Sequence, residues 1–425
     1  MELIGTVLEV MVADDGRTRH ARWSVLALGL GVFAVGTDEF VLAGVLPLLG
    51  DTFDISIAAA GQVVTAFALV CALLAPVLGT LTARWPRRRI LLLALGVYLA
   101  GNAATAVAPT FPALVAAQMV AAVGAGLFVP AASVTAAALV PAERRGRAIA
   151  VVMTGFTAAT ALGAPIGTVL GGTLGWRATV WFLAGLAVLG IGTVLALVPR
   201  QITAPAPEGL GERLRPLRDP RALALMGTTL VGFTAVYIPY TYISAVFEPA
   251  TGGDPDRLAL LLFVFGLVGT LANYAGGALA DRLGGRTVAS GAIALLFLAL
   301  LVMPLTTGSF AAATVMVVAY GIPAWALTTP QQHRLIALDP AAASVYVSLN
   351  AAILYLAISL SGMAGAVGIG WLGADRLAPA AAVIALLALG LSELAHRLTR
   401  RPRAAKIPMP ETLAGGTTVD HAMDK

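Results

Sequence analysis

Twelve apolar runs of about 20 residues each restrict what this sequence can fold into. A helix of that length crosses the roughly 30 Å hydrocarbon core of a bilayer and satisfies its own backbone hydrogen bonds there. Only 12% of the 425 residues are charged and 59% are hydrophobic, whereas soluble domains are about 25% charged. The sequence therefore predicts an all-α membrane protein with twelve transmembrane helices. The predicted spans are 23–49, 58–83, 89–108, 112–140, 147–174, 177–198, 222–247, 257–280, 287–306, 310–329, 341–372 and 377–396.

The basic residues lie mostly on one side of these spans. If the spans alternate in direction, 24 of the 27 Lys and Arg fall on the side that holds both termini, and only Arg177, Arg257 and Arg376 fall on the other. Cytoplasmic loops carry an excess of Lys and Arg, so we expect both termini in the cytoplasm. Because 25 of the 27 basic residues are arginine and alanine is abundant, a composition typical of high-GC bacteria, we expect the chain in a bacterial inner membrane. This topology explains the net charge of +5, and no nucleic-acid partner is expected.

The sequence repeats itself in two halves at an offset of 198 residues. GTLTARWPRRR begins at Gly79 and GALADRLGGRT begins at Gly277, and each follows an apolar span and turns into a basic loop. Both halves keep the same orientation, as in transporters built from two parallel repeats around a central site. The predicted organisation is an N-terminal tail (1–22), a six-helix bundle (23–199), a central loop (200–221), a second bundle (222–397) and a C-terminal tail (398–425). The N-terminal tail carries Glu2 and Glu9 and lacks a cleavable apolar core, so no signal peptide is expected.

The loop beginning at Gly277 resembles the loop between the second and third helices of each half in the major facilitator superfamily. The resemblance implies a gate at the cytoplasmic side, in which Asp281 pairs with Arg282 and Arg286. The first copy begins at Gly79 and contains Arg84, Arg87, Arg88 and Arg89, but it has Ala83 in place of the aspartate. The first half therefore lacks the acid of a gating bridge, and its arginines serve either in a gate or only to set topology.

Span 5 contains GAPIGTVLGG, which is similar to a motif of the proton-antiporting exporters of that superfamily. Gly163, Gly167 and Gly171 recur every four residues, together with Gly155 and Ala159 before them, and small residues at this spacing allow close helix packing. Pro165 removes a backbone hydrogen bond, so a bend is expected there.

Span 1 contains GTDEFVLAGVLP, in which Asp38 and Glu39 are the only acids placed deep in a span. A buried carboxylate is costly when ionised, which suits a group that takes up and releases protons. Adjacent side chains on a helix point about 100° apart, so both acids face one cavity only with difficulty. The stretch resembles the first helix of chloramphenicol-resistance exporters and arabinose-type sugar efflux proteins. On that resemblance Glu39 is the expected proton carrier, with Asp38 as its partner or as a substrate contact.

Span 4 departs from the pattern of that branch. The branch usually has an arginine where this sequence has Gln118, and no Lys or Arg lies deep in any span. We therefore expect the acids to rest protonated more often than in arginine-bearing relatives, and Gln118 joins the substrate-contact candidates.

Aromatic and amide side chains supply the other substrate-contact candidates. Tyr and Trp offer apolar area with one polar atom, which suits small amphipathic molecules, although both are also common at membrane interfaces. These candidates are Tyr237, Tyr240, Tyr242, Trp325 and Asn350.

The favoured function is proton-coupled export of a small amphipathic molecule such as chloramphenicol, by alternating access. The alternatives are export of a sugar or nucleoside, uptake, or a membrane receptor that does not transport. No HExxH or GxSxG motif or nucleotide-binding loop is present, so an enzyme is not expected. The expected partners are the substrate, protons and lipid, with no cofactor or metal, and the protein is expected to be a monomer.

Overall fold

The computed structural model describes residues 16–82, 84–202, 211 and 215–400. Within these residues, twelve helices are long and apolar enough to cross a membrane, which confirms the predicted fold class. We label them α1 to α12. They are α1 Gly16–Phe53, α2 Gln62–Leu81, α3 Arg87–Ala106, α4 Phe111–Ala138, α5 Ala142–Leu174, α6 Trp176–Leu197, α7 Pro220–Thr241, α8 Pro255–Leu283, α9 Gly285–Val302, α10 Phe310–Ile336, α11 Ala343–Leu372 and α12 Leu377–Arg400.

Short polar side chains mark the starts of α4, α7 and α8. Thr110, Asp219 and Asp254 each accept a hydrogen bond from a backbone N–H in the first turn of α4, α7 and α8, a group that has no partner inside the helix. Gly175 and Gly373 end α5 and α11 with φ of 86° and 85°, a conformation that favours glycine. These two glycines are 198 residues apart, so the tight turns repeat with the halves.

Several helices differ from the predicted spans. α1 begins at Gly16 rather than at residue 23, and α2 is preceded by a separate short helix, Ile57–Ala60. α10 runs to Ile336 with an interruption at Leu327. Apolar runs mark the part of a helix that lies in lipid, so polar turns that continue the helix beyond it escape the prediction.

Pro165 is associated with a wider turn of α5. The helix consists of Arg145–Ala158, a π-helical turn Ala159–Gly163 and a final segment Ala164–Leu174. A proline ring clashes with the carbonyl four residues earlier, here Ala161, and lacks the N–H that would bond it. A π turn at this position relieves that conflict.

The buried core is shared between the two bundles on one side only. We call the side where α1 begins and α12 ends the terminal side, and the other the opposite side. The largest buried cluster joins both bundles through Leu46, Val63, Tyr242 and Leu261, which lie toward the opposite-side ends of their helices. A second cluster, with Val25 and others, takes its buried residues from the first bundle.

A third cluster, around Leu225, takes its buried residues from the second bundle, at the terminal side. In the described part of the chain, the buried packing between the bundles therefore seals the opposite side, while the two terminal-side cores are separate.

The seal on the opposite side depends on Tyr242. Its hydroxyl donates to the carbonyl oxygen of Gly362 at 2.7 Å, and its ring occupies the space that a side chain on Gly61 or Gly365 would need. Gly61 belongs to the first bundle and Gly365 to the second, so the ring fills the gap between them.

Candidate functional site

The two acids of α1 lie in different surroundings. Asp38 is 0% exposed and Glu39 is 8% exposed. Their side chains diverge as expected for neighbours on a helix: Asp38 contacts its own bundle, and Glu39 contacts the other one.

Asp38, on α1, contacts side chains of α3 and α4. Its Oδ1 accepts a hydrogen bond from Nε2 of Gln118 at 3.0 Å, and its Oδ2 accepts one from Nδ2 of Asn102 at 3.2 Å. Asn102 also donates to the carbonyl oxygen of Tyr98 at 3.1 Å. The two amide oxygens, Asn102 Oδ1 and Gln118 Oε1, are buried without a hydrogen-bond partner. Asp38 thus joins three helices within the first bundle.

Glu39 makes its hydrogen bond across the junction between the bundles. The hydroxyl of Tyr355 on α11 donates to Glu39 Oε2 at 3.1 Å. Glu39 is buried and Tyr355 is half-buried, so the hydrogen bond lies within the contact between the bundles. A proton bound or lost at Glu39 therefore acts directly on an inter-bundle contact.

Aromatic rings surround this junction. The ring of Tyr240 is 5.9 Å from that of Phe40 and 4.9 Å from that of Phe265, centroid to centroid. Trp325 is 6.1 Å from Phe40 and 6.2 Å from Phe265, and Tyr237 packs on Tyr240 at 5.9 Å. The Tyr240 hydroxyl donates to the carbonyl oxygen of Phe40 at 3.3 Å. These rings offer apolar area with a few polar atoms next to a carboxylate.

The candidate substrate contacts fall in different places. Tyr237, Tyr240 and Trp325 belong to the aromatic junction, whereas Tyr242 is fully buried in the opposite-side seal. Asn350 accepts a hydrogen bond from Thr229 at 2.8 Å within the second bundle. A role in substrate binding stays a prediction for each of them, and for Gln118.

Sequence reasoning missed two members of the site, Asn102 and Tyr355. Asn102 is a lone amide near the end of an otherwise apolar span, a pattern that indicates a buried polar partner. Tyr355 lies near the middle of α11, away from the interfacial positions that tyrosines favour. The depth of each residue was the available signal.

The small-residue face of α5 packs on α1. Space for a side chain on Gly163 is taken by Thr37, and on Gly167 by Val41 and by Thr179 of α6. The four-residue spacing thus gives the close packing that the sequence predicted.

The motif that begins at Gly277 spans the end of α8 and the start of α9, and its side chains pair differently from the sequence expectation. Within residues 215–400, the expected pairs of Asp281 with Arg282 and Arg286 are not formed. Oδ1 of Asp281 lies 3.6 Å from Nδ1 of His333, and Arg286 forms an ion pair with Glu393 at 2.6 Å. A side chain on Gly277 would contact Thr329 at 3.2 Å, so the glycine allows α8 and α10 to approach closely. The gating roles of Asp281, Arg282 and Arg286 stay predictions, as do those of Gly79, Arg84 and Arg87 in the first copy.

Two six-helix bundles in parallel repeat, with a carboxylate at their junction, define a secondary transporter rather than an enzyme. The chain belongs to the Major Facilitator Superfamily, whose family model matches residues 28–362.

Curated relatives share this family. The chain is 33% identical over 377 residues to the inner membrane transport protein YdhP of Escherichia coli K12, covering 88% of this chain and 96% of that protein. It is 36% identical over 262 residues to a chloramphenicol resistance protein of Streptomyces lividans, covering 61% of this chain and 66% of the relative.

Solved structures agree on the fold. A bacterial homologue of the human lysosomal transporter Spinster, solved in an inward-facing and unoccupied conformation, aligns with a TM-score of 0.76 at 18% identity. The alignment covers 89% of this chain and 97% of that one.

Proposed function

We propose that this protein is a proton-coupled exporter of a small amphipathic molecule, in which Glu39 carries the proton. The observation that carries the proposal is the hydrogen bond from Tyr355 to Glu39. It joins a buried carboxylate of the first bundle to a tyrosine of the second, so a change in the protonation state of Glu39 would act on the packing between the bundles.

The proposed coupling follows from the strength of that hydrogen bond. A hydrogen bond to an ionised acceptor is roughly twice as strong as one to a neutral acceptor. An ionised Glu39 therefore favours the arrangement described above, and protonation weakens the contact with α11. Transport alternates between this state and one open to the other side.

The direction of transport rests on the distribution of basic residues. By the positive-inside rule the terminal side is cytoplasmic, so the state sealed on the opposite side loads substrate from the cytoplasm or the inner leaflet. Glu39 then releases its proton inward, and the substrate leaves outward as an external proton binds.

The proposed substrate class rests on two observations. One relative is named a chloramphenicol resistance protein, and the junction offers aromatic rings with the polar atoms of Tyr237, Tyr240 and Trp325. Apolar walls with few polar groups are typical of sites for small amphipathic molecules.

Asp38 has a different proposed role. It is fully buried and bound by Asn102 and Gln118 inside one bundle, so we assign it to holding α1 against α3 and α4. Gln118 then acts through Asp38 rather than by touching the substrate.

A susceptibility panel in a pump-deficient bacterial host tests the export function. Expression of the wild type is expected to raise the inhibitory concentration of chloramphenicol or of another amphipathic antibiotic in the panel. Glu39→Gln is expected to abolish the protection. The matched control is Asp51→Asn, which changes an exposed acid near the opposite-side end of the same helix.

Expression of each variant must be equal in the membrane fraction. Equal protection by Glu39→Gln and the wild type would contradict the role of Glu39. No protection against any compound in the panel would contradict export of this substrate class.

A further inference from the structure

The basic loops of the two halves have the same geometry but a different charge balance. Arg88 and Arg286 occupy equivalent positions, 198 residues apart. In the second bundle Arg286 forms an ion pair with Glu393 at 2.6 Å. In the first bundle Arg88 reaches the equivalent position on α6, which is Leu195, and donates to its backbone carbonyl oxygen. The arginine is retained, and the carboxylate that neutralises it is not.

A second acid of the second half also has no acidic counterpart in the first half. Asp281 in the second half pairs with His333, and its counterpart in the sequence is Ala83, which lies outside the described residues. The sequence contains no Asp or Glu from residue 55 to residue 142. In the described part of the chain, Arg84, Arg87 and Arg89 form no salt bridge. Among the residues that the structure describes, the four arginines of this short segment therefore have no acid partner.

A groove lies against this segment. Its volume is about 340 Å³, and it is lined by Arg84, Trp85, Pro86, Arg89 and Leu93. Trp85 is 50% exposed and Leu93 is 44% exposed. Leu93 lies six residues into α3, or about 9 Å along the helix from its first residue. The groove therefore has a basic mouth near the membrane interface and an apolar wall that continues along the membrane-facing surface of α3.

We propose that this groove binds the headgroup of an anionic phospholipid, whose phosphate pairs with Arg84 and Arg89. Arginine binds phosphate through several directed hydrogen bonds. Tryptophan favours the level of the headgroups, and an acyl chain fits along the exposed Leu93. A soluble anion would leave that apolar wall exposed, which is why we assign the site to a lipid. The assignment is independent of what the protein transports.

Native mass spectrometry of the purified protein in mixed lipid and detergent micelles tests the proposal. The probes are phosphatidylglycerol and phosphatidylcholine with the same acyl chains. The wild type is expected to retain at least one phosphatidylglycerol in preference to phosphatidylcholine. Arg84→Gln with Arg89→Gln is expected to lower the affinity for phosphatidylglycerol by about 30-fold, since each basic residue near an anionic membrane contributes about 1 kcal/mol.

A control variant separates a specific site from diffuse positive charge. Arg144→Gln with Arg145→Gln removes two exposed arginines from another loop on the same side and is expected to keep the preference. An equal loss in the Arg144 and Arg145 variant would overturn the site, because it would show that net charge alone binds the lipid.

Competition with soluble anions distinguishes the lipid from free phosphate. Inorganic phosphate and glycerol phosphate, at millimolar concentration, are expected not to displace phosphatidylglycerol. Displacement by either, or a wild type without preference between the two lipids, would overturn the proposal.

Discussion

Asp38 and Glu39 show how two adjacent residues of the same chemistry acquire different roles. Asp38 receives two amide hydrogen bonds inside one bundle, and Glu39 receives one tyrosine hydrogen bond from the other bundle. A buried donor that loses its acceptor costs about 1–3 kcal/mol. Removal of Asp38 is therefore expected to affect stability, and removal of the Glu39 charge to affect coupling.

Stability measurements on Asp38 variants test the structural role of Asp38. Asp38→Asn keeps the side-chain shape, and its amide can donate to the unpaired oxygen of Asn102 or Gln118 after reorientation. We expect it to change the free energy of unfolding by less than about 1 kcal/mol, whereas Asp38→Ala strands both amide donors and costs about 2–5 kcal/mol. Thermal unfolding in detergent measures both. Equal destabilisation by the two substitutions would contradict the structural role.

Removal of the Tyr355 hydroxyl tests the proposed role of Glu39 in coupling. Tyr355→Phe is expected to change proton-driven transport by about tenfold, because a hydrogen bond to a charged group contributes about 1.5–3 kcal/mol. Its pH dependence should move as well, while substrate counterflow without a gradient changes less than about twofold. Tyr346→Phe is the matched control, on the same helix but in the terminal-side core. A matching change in the control, or none in Tyr355→Phe, would count against the link to Glu39.

At the scale of elements, the contact between α1 and α5 depends on glycine. A side chain on Gly155 would overlap the carbonyl oxygen of Gly29 and lie 3.0 Å from the amide nitrogen of Phe33. These are backbone atoms of α1, so the helices would have to move apart.

Alanine substitution tests this contact. Gly155→Ala is expected to destabilise the fold by about 1–3 kcal/mol through overpacking. Gly192→Ala in α6 has no atom within 4 Å of the added carbon and is expected to be neutral. Size-exclusion profiles and thermal unfolding of both proteins measure the difference. Unchanged stability of Gly155→Ala would show that the packing face is not constrained.

Elements differ in how far the sequence predicts them. The four-residue spacing in α5 predicted a packing face, because the pattern depends only on helix geometry. The π turn before Pro165 was not predictable, since a proline is relieved equally well by a bend. Tyr355 was missed for a related reason: its depth in α11 argues against an interfacial position, but its partner Glu39 is 316 residues away in the sequence and only the fold brings the two together.

At the scale of the whole molecule, the seal on the opposite side has a testable weak point. Tyr242 fills the space between Gly61 and Gly365, and Thr65 lies beside Gly362 behind it. Thr65 is 8% exposed, so a cysteine at that position reports on opening of the seal.

Labelling of Thr65→Cys by a membrane-impermeant maleimide in whole cells measures that opening. In a background where the lone cysteine is removed by Cys71→Ala, adding Tyr242→Ala is expected to raise the labelling rate about tenfold, which requires a shift of only about 1.4 kcal/mol between the two states. Thr52→Cys, at an exposed position on the same side, is expected to label at the same rate with and without Tyr242→Ala. Unchanged labelling at position 65 would contradict the role of Tyr242.

The central claim is that Glu39 couples a proton to the alternation of the bundles. Its most direct test is a transport assay in proteoliposomes, with a radiolabelled substrate chosen from the susceptibility panel. Counterflow without a gradient measures alternation alone, and an imposed proton gradient measures coupling. We predict that the wild type concentrates the substrate in response to the gradient, and that Glu39→Gln shows counterflow within about twofold of the wild type but no response to the gradient. A Glu39→Gln protein that still concentrates the substrate would contradict the account.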